Sequence, residues 1–199
     1  MTISEISVVG CGPRGLSIVE AVAQAGLSVL AVSVTARGVE QARHRLDRKL
    51  SLRLASLELD QASVDAIRRR IRFTRDLGEV VGSDLVIESA VGDAMARRAL
   101  LATIEGRVSA GAVLASNATR AELPKLAEVL VRRDQFLGLR FFHPATHTSL
   151  IEVIALPETA PGALVACQTF CRWLAKTPVD EAEGEVSVLD HPPLASAAG

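Results

Sequence analysis

The sequence predicts an α/β fold in which a doubly wound, mostly parallel sheet has helices on both of its faces. Short apolar runs alternate with amphipathic segments, which is the order of elements that builds parallel strands through helical crossovers. A glycine-rich turn joins the first apolar run to the first amphipathic segment. The 199 residues are enough to bury one core. Together these observations favour a Rossmann-type sheet.

The first unit is predicted as a strand, a helix and a second strand. "ISVVG" (6–10) is a continuous apolar run that ends in glycine. "GLSIVEAVAQAG" (15–26) has helical spacing and closes on a glycine, and "SVLAVSV" (28–34) is the next strand. Residues 39–70 then predict one or two long, exposed helices rich in arginine.

The later elements continue this alternation. Strands are predicted at 71–77, 83–90, 112–118, 136–144 and 149–156, and helices at 93–108, 122–130 and 160–177. We expect a Rossmann nucleotide-binding domain over residues 1–179 and a tail over 180–199. In that tail "VSVL" can add one short strand, and the end with two prolines is expected to be mobile.

Composition excludes several classes of function. With 49% hydrophobic residues, 23% charged residues and a net charge of -1, neither a disordered chain nor a basic nucleic-acid-binding surface is indicated. No long apolar window or signal-like start is found, so we expect a cytoplasmic protein without a membrane segment. Cys11, Cys167 and Cys171 lack metal-ligand spacing and are expected to be buried or partly buried free thiols. No metal site is predicted.

The segment "VVGCGPRG" predicts a nucleotide site. Gly10, Gly12 and Gly15 have the G-x-G-x-x-G spacing between a predicted strand and a predicted helix, with Pro13 and Arg14 inside the turn. The first glycine permits a tight turn, the second lets the backbone approach a pyrophosphate, and the third allows close helix packing. Nucleotide binding at this turn is therefore expected.

The end of the second predicted strand lacks the carboxylate that usually binds the adenosine ribose. Ser33 stands at that position. Ser33, Thr35 and Arg37 can instead hold a ribose 2′-phosphate, which would make NADP the cofactor. The alternative is a degraded ribose site without preference, so NAD and NADP both stay open.

Four segments in order resemble the NAD-binding domain of the 3-hydroxyacyl-CoA dehydrogenase family over about residues 4–179. They are "VVGCGPRGLSIVEAVAQAGLSVLAVSVT", "GSDLVIESAVGDAMARRALLATIE", "GAVLASNATRAEL" and "DQFLGLRFFHPATHTSLIEVIALPETAP". The resemblance implies a nicotinamide-dependent oxidoreductase. It also implies a general-base histidine in an H-F-F-N-P segment and a partner glutamate twelve residues later.

This chain departs from the implied pair. Glu152 matches the glutamate, but Arg140 replaces the histidine and His143 replaces the asparagine. An arginine stays protonated and cannot act as that base. Three readings are open: a structural Arg140–Glu152 ion pair; an Arg140 that polarises a substrate oxygen while His143 or His147 transfers the proton; or an Arg140 that clamps an anionic substrate group.

The resemblance also assigns other positions. Asn117 and Thr119 match the family's contacts to nicotinamide and substrate. Ala90 and Val91 are expected to line the nicotinamide ribose channel with backbone groups. Gly92 replaces the family's glutamate, and Arg97 corresponds to its lysine.

The family continues into a helical C-terminal domain, which this sequence is expected to lack. We therefore predict an exposed apolar patch from parts of 136–144 and 163–174, and a homodimer that buries it. Trp173 is predicted either in that interface or in helix packing.

The leading hypothesis is a dehydrogenase with an altered acid/base site. Its substrate would be a 3-hydroxyacyl thioester or a related hydroxy acid, which an acyl-carrier protein can present. The alternatives are a dehydrogenase-derived binding module without catalysis, and one half of a split enzyme.

Overall fold

A computed structural model of the protein describes residues 2–182 and 185–188. In this part of the chain nine strands form a single sheet. The strands are β1 (Ile6–Val9), β2 (Val29–Val32), β3 (Ile71–Thr74), β4 (Leu85–Glu88), β5 (Val113–Ser116), β6 (Phe136–Phe141), β7 (Leu150–Ile154), β8 (Thr177–Ala182) and β9 (Glu185–Val188). The α-helices are α1 (Pro13–Gln24), α2 (Ala36–Ala55), α3 (Gln61–Arg70), α4 (Ala94–Glu105), α5 (Leu123–Ala127) and α6 (Pro161–Trp173), and 3-10 helices cover Leu77–Gly82 and Arg133–Gln135.

The strand order is β3-β2-β1-β4-β5-β6-β7-β8-β9. From β3 to β6 all neighbours are parallel, whereas β7 is antiparallel to β6 and β9 is antiparallel to β8. The chain runs outward from β1 to β3 and then crosses back to β4 on the other side of β1. This topological switch point is where open parallel sheets bind ligands. The predicted doubly wound, mostly parallel sheet is confirmed.

Two apolar cores lie on opposite faces of the sheet. One contains side chains of α1, α2, α3 and α6, among them Ile18, Leu50 and Phe170. The other contains side chains of α4 and α5, such as Leu101 and Leu123. No helix in the described part of the chain is long and apolar enough to cross a membrane.

Some predicted element ends are wrong. The arginine-rich segment forms two helices, which is one of the two predicted arrangements, but the first of them begins at Ala36 rather than 39. The segment divides because Leu57 has a left-handed backbone (φ 59) and the Asp60 side chain accepts a hydrogen bond from Ser63 N (2.7 Å), which starts α3. The last helix ends at Trp173 rather than 177, since Ala175 is left-handed (φ 54) and the following proline cannot continue a helix.

The sheet continues past residue 179. β8 runs to Ala182, and β9 covers most of the segment in which a short strand was predicted. The end of the predicted tail, residues 189–199, lies outside the described part of the chain.

The prediction of an exposed apolar patch is wrong. β6 lies inside the sheet between β5 and β7, and Phe136, Leu137 and Phe170 are fully buried. Of the large apolar side chains in that predicted patch, Val165 and Trp173 are the exposed ones among the described residues, at 39% and 42%. The homodimer stays a prediction without this support.

The three cysteines are free and buried, as predicted. Burial raises the pKa of the Cys11 and Cys167 thiols to about 12. These thiols therefore behave as small apolar side chains near neutral pH.

The core contacts of α2 can be tested with two identical substitutions. Leu50→Ala should lower the free energy of unfolding by about 2–5 kcal/mol, because Leu50 is fully buried and the truncation leaves a cavity. Leu52→Ala on the same helix is the control: Leu52 is 63% exposed, and the change should stay within about 0.5 kcal/mol. Urea unfolding measures both, and equal losses would contradict the orientation of α2.

Candidate functional site

The glycine loop between β1 and α1 is shaped by backbone contacts that exclude side chains. Gly10 has φ +106, and a Cβ atom there would lie 2.5 Å from the backbone N of Ala90. A Cβ atom at Gly15 would lie 1.8 Å from the Gly10 carbonyl oxygen. These two glycines therefore let the start of α1 pack against the end of β4.

The second glycine has a different role. Gly12 is the N-cap of α1 without a side-chain hydrogen bond, and Pro13 follows at the start of the helix. A Cβ atom at Gly12 would have Val91 Cγ2 as its nearest neighbour, at 3.6 Å, on the side of an open cleft. Arg14 lines the same cleft and forms no ion pair with a described residue. This cradle fits the pyrophosphate of a dinucleotide, which needs close backbone approach to free N–H groups.

The cleft has a volume of about 490 Å³ and lies at the carboxyl ends of the strands. The glycine loop, the turns after β4 and β5, and the end of β6 form its walls. Among the predicted cofactor residues, the cleft is lined by Gly12, Pro13, Arg14, Ala90, Val91, Arg97 and Asn117. Among the predicted catalytic residues, it is lined by Asn117, Thr119, Arg140 and His143.

A charged network supports the β4 and β5 side of the cleft. Glu88, at the end of β4, is fully buried and receives hydrogen bonds from Arg97 Nη2 (2.8 Å), Ser116 Oγ (2.6 Å) and Ala90 N (2.8 Å). Arg97 also donates to Glu122 (3.0 Å). Burial opposes the charge of Arg97, but the bonds and charges of Glu88 and Glu122 outweigh it and raise its pKa. Arg97 is thus a fixed cation of the cleft wall.

Thr119 is held by the same network. Its hydroxyl (2.6 Å) and its backbone N–H (2.9 Å) both donate to Glu122 Oε2. These two bonds, followed by the charge of Arg97, lower the pKa of Glu122. The Thr119 hydroxyl can therefore accept a hydrogen bond from a ligand while its own proton is engaged.

Asn117 ties three strand ends together. Its Nδ2 donates to Ser89 Oγ (3.3 Å), and its Oδ1 accepts a hydrogen bond from the backbone N of Phe141 (2.8 Å). The amide thus links the ends of β4, β5 and β6 at the cleft floor.

Arg140 and Glu152 form the predicted ion pair. They are register partners on β6 and β7, and Arg140 Nη1 lies 3.0 Å from Glu152 Oε2. Glu152 is 2% exposed and also receives a bond from Arg120 Nη2 (3.3 Å), which in turn pairs with Asp180. The Arg140 guanidinium lies over the Phe142 ring, 5.1 Å from its centroid. Glu152 lies beneath the cleft wall and fixes the cation that lines it.

The two candidate histidines lie in different places. His143 is exposed in the cleft and makes no hydrogen bond to any residue of the described chain. His147 lies outside the cleft, with Nε2 3.4 Å from Glu58 and Nδ1 3.0 Å from Thr146 Oγ1. Of the two proton carriers considered from the sequence, only His143 lines the cleft.

Two predicted ribose-site residues lie outside this cleft, and three charged residues near it were not predicted. Ser33 and Arg37 follow β2, outside the lining of this cleft. Sequence reasoning missed Glu88, Arg120 and Glu122. Glu88 could have been noticed from the sequence, because it is a charged residue at the end of the apolar run of β4. No local pattern marks Arg120 or Glu122.

Comparisons with known proteins agree on one family. The family model described as "3-hydroxyacyl-CoA dehydrogenase, NAD binding domain" matches residues 5–184. The fatty acid oxidation complex subunit alpha of Psychrobacter sp. is 28% identical over 177 residues, which cover 89% of this chain and 25% of that protein. The chain therefore spans about a quarter of the length of this curated relative.

Solved structures of dehydrogenases share the fold of this chain. The (S)-3-hydroxybutyryl-CoA dehydrogenase of Ralstonia eutropha is 28% identical, with a TM-score of 0.86 over 92% of this chain and 65% of that one. A 5-formyl-3-hydroxy-2-methylpyridine 4-carboxylic acid 5-dehydrogenase is also 28% identical, with a TM-score of 0.77. The match covers 91% of this chain and 58% of the dehydrogenase chain.

Removal of the Glu152 charge tests how much its ion pairs with Arg120 and Arg140 contribute to the stability of the protein. Glu152→Gln should lower the free energy of unfolding by about 1–3 kcal/mol, because a buried acceptor of two guanidinium groups loses its charge. Glu128→Gln is the control, since its pair with Arg98 (3.1 Å) is solvent-exposed and should contribute about 0–1 kcal/mol. Urea unfolding measures both variants, and an effect no larger than that of the control would contradict a supporting role for Glu152.

Proposed function

The chain belongs to the family of the 3-hydroxyacyl-CoA dehydrogenase NAD-binding domain, and from this premise we propose that it binds a nicotinamide dinucleotide and supports hydride transfer at a hydroxyl or carbonyl carbon. The observation that carries the proposal is the single cleft at the switch point of the sheet. That cleft is lined both by Gly12 and by Arg140 and His143. The cofactor is NAD or NADP.

The start of α1 is the binding element for the phosphates. Its backbone N–H groups have no side-chain cap, and Gly12 leaves the space that a close approach requires. Ala90 and Val91 offer backbone groups along the middle of the cleft. A nicotinamide dinucleotide held by these residues would supply hydride to a substrate carbonyl carbon, or would accept it from the corresponding alcohol.

Arg140 is the proposed hydrogen-bond donor to the reacting oxygen of the substrate. Only one of its N–H donors is engaged by a described residue, the Glu152 carboxylate, so further donors remain for a ligand in the cleft. A fixed guanidinium stabilises the negative charge that develops on a carbonyl oxygen as the carbon accepts hydride. Glu152 holds the cation in place through the register of β6 and β7.

His143 transfers the proton in this proposal. When hydride reaches the carbonyl carbon, the imidazolium gives a proton to the oxygen, and in the reverse direction the neutral ring accepts it. Arg140 cannot do this because it stays protonated. The exposure of His143 lets it exchange that proton with water.

The proposed substrate is a 3-hydroxyacyl thioester or a related hydroxy acid, on coenzyme A or on an acyl-carrier protein. Two observations support this range. The Ralstonia eutropha relative is named for a coenzyme A thioester, and the pyridine relative is named for a carboxylic acid.

A second candidate function is a nucleotide-binding module without turnover. The Arg140–Glu152 ion pair favours it, because the position that corresponds to the family's base holds a permanent cation.

Nucleotide binding is tested by thermal unfolding with NAD, NADH, NADP and NADPH. A ligand at about one hundred times its dissociation constant adds about 2.7 kcal/mol, which should raise Tm by roughly 5–10 °C for a chain of this size. Gly12→Val should abolish the shift, because its side chain would occupy the cradle. Gly111→Val is the control, since a Cβ there meets no atom within 4 Å and lies in another loop. No shift with any of the four forms would rule out the proposal.

The proton-transfer role is tested with two histidine variants. His143→Gln should lower kcat for reduction of acetoacetyl-CoA or acetoacetate by about 100- to 10,000-fold while nucleotide binding is kept. His147→Gln should leave kcat unchanged, because His147 lies outside the cleft. Absorbance at 340 nm follows the reaction. Nucleotide binding without turnover of either compound by the unaltered protein would favour the module, and an active His143→Gln variant would exclude His143 as the proton carrier.

A further inference from the structure

The end of β2 is joined directly to the glycine loop. The Val32 carbonyl oxygen accepts hydrogen bonds from Gly10 N (2.9 Å) and from Cys11 Sγ (3.3 Å). Ser33 is the next residue along the chain. A dinucleotide with its phosphates at Gly12 therefore places its adenosine ribose beside Ser33, as in other sheets of this type.

Ser33 places a hydroxyl at the ribose position, where a carboxylate would repel a 2′-phosphate. Its backbone N donates to Thr74 O (3.0 Å), while its Oγ makes no hydrogen bond within the described residues. A Cβ atom at Gly38 would lie 2.1 Å from Ser33 Oγ, so the first turn of α2 packs closely against the serine hydroxyl as it stands. The hydroxyl is held at the ribose position and keeps its hydrogen-bonding capacity.

Two arginines follow the same strand ends as this serine. Arg37 lies in the first turn of α2, and Arg75 follows β3, which pairs with β2 so that Val32 faces Thr74. The parallel register brings Ser33 and Arg75 out at the same edge of the sheet. Both arginines are exposed, and neither forms an ion pair with a residue that the structure describes.

Two of the three nearby carboxylates already have hydrogen-bond or ion-pair partners. Asp76 Oδ1 accepts a hydrogen bond from Gly78 N (2.7 Å), and Glu79 pairs with Arg72 and accepts from the Thr74 hydroxyl. Glu40, one turn along α2, is exposed and lines a shallow pocket together with Arg43 and Arg75. Arg37, Arg43 and Arg75 together outnumber the charges of Asp76 and Glu40, so the charge here is net positive, which suits a doubly charged phosphate and not a ribose hydroxyl alone.

We propose that Ser33, Arg37 and Arg75 form a 2′-phosphate subsite that makes the protein select NADP(H) over NAD(H). The inference rests on the proposed nucleotide binding at Gly12. The two arginines donate charge-assisted hydrogen bonds to the phosphate, and Ser33 Oγ donates a neutral one. An unphosphorylated ribose would meet neither a carboxylate nor a matching charge.

Fluorescence titration with NADPH and NADH measures the selectivity without turnover. The unaltered protein should bind NADPH about 10- to 100-fold more tightly than NADH, as expected from hydrogen bonds to a charged group. The double variant Arg37→Ala/Arg75→Ala should lose at least about tenfold in NADPH affinity and less than about twofold for NADH. Arg69→Ala is the control for the loss of an exposed arginine elsewhere on the surface. Arg69 lies at the end of α3, which leads into the start of β3 at the amino edge of the sheet, so its removal should change neither affinity.

Salt provides a second measurement that needs no variant. NADPH affinity should fall more steeply with added NaCl than NADH affinity, because the subsite phosphate carries the extra charge. Equal or tighter binding of NADH by the unaltered protein, or equal salt slopes, would overturn the subsite while nucleotide binding stands. Binding of neither nucleotide would instead overturn the proposed function, and the subsite with it.

Discussion

The site depends on a close backbone approach between the glycine loop and the end of β4. Gly10 passes so near Ala90, and Gly15 so near the Gly10 carbonyl, that no side chain fits at either glycine. This approach brings the start of α1 beside the turn after β4 at the switch point of the sheet. The cleft, the open N–H groups of α1 and the access to the end of β2 all follow from it.

Much of this could be predicted from the sequence, because the signals are local. The glycine spacing, the apolar runs and the alternation of elements each depend on a few consecutive residues, and they predict the sheet and the tight turn between β1 and α1 correctly. The Glu88–Arg97–Glu122 network could not be predicted in this way, since its members come from three elements and meet only after β4 and β5 pair. The predicted apolar patch was wrong for a related reason. β7 and α6 cover β6, and that coverage depends on the pairing of distant strands.

The strand register pairs residue 140 with Glu152 although residue 140 is an arginine and not the histidine expected from the family. The backbone still brings residues 140 and 152 together as cross-strand partners at the cleft wall. With an arginine in place of a base, the same geometry holds a cation instead of a titratable ring. Arg120 adds a second guanidinium to the same carboxylate, so a nearly buried Glu152 carries its charge with two partners. Residue 140 therefore supplies a fixed positive charge, and under the proposed function another residue has to transfer the proton.

This separation of roles has a chemical consequence. In a histidine–glutamate pair, one side chain both contacts the reacting oxygen and moves its proton. Here Arg140 would stabilise the charge on the oxygen, while the exposed His143 would exchange protons with water. A permanent cation favours the state in which the oxygen is most negative, during hydride transfer to or from a carbonyl carbon. Its effect is strongest where water is excluded, and a cleft open to solvent weakens it. The rate that such a site can reach is therefore limited by how completely a bound substrate, or a further part of the protein, covers Arg140.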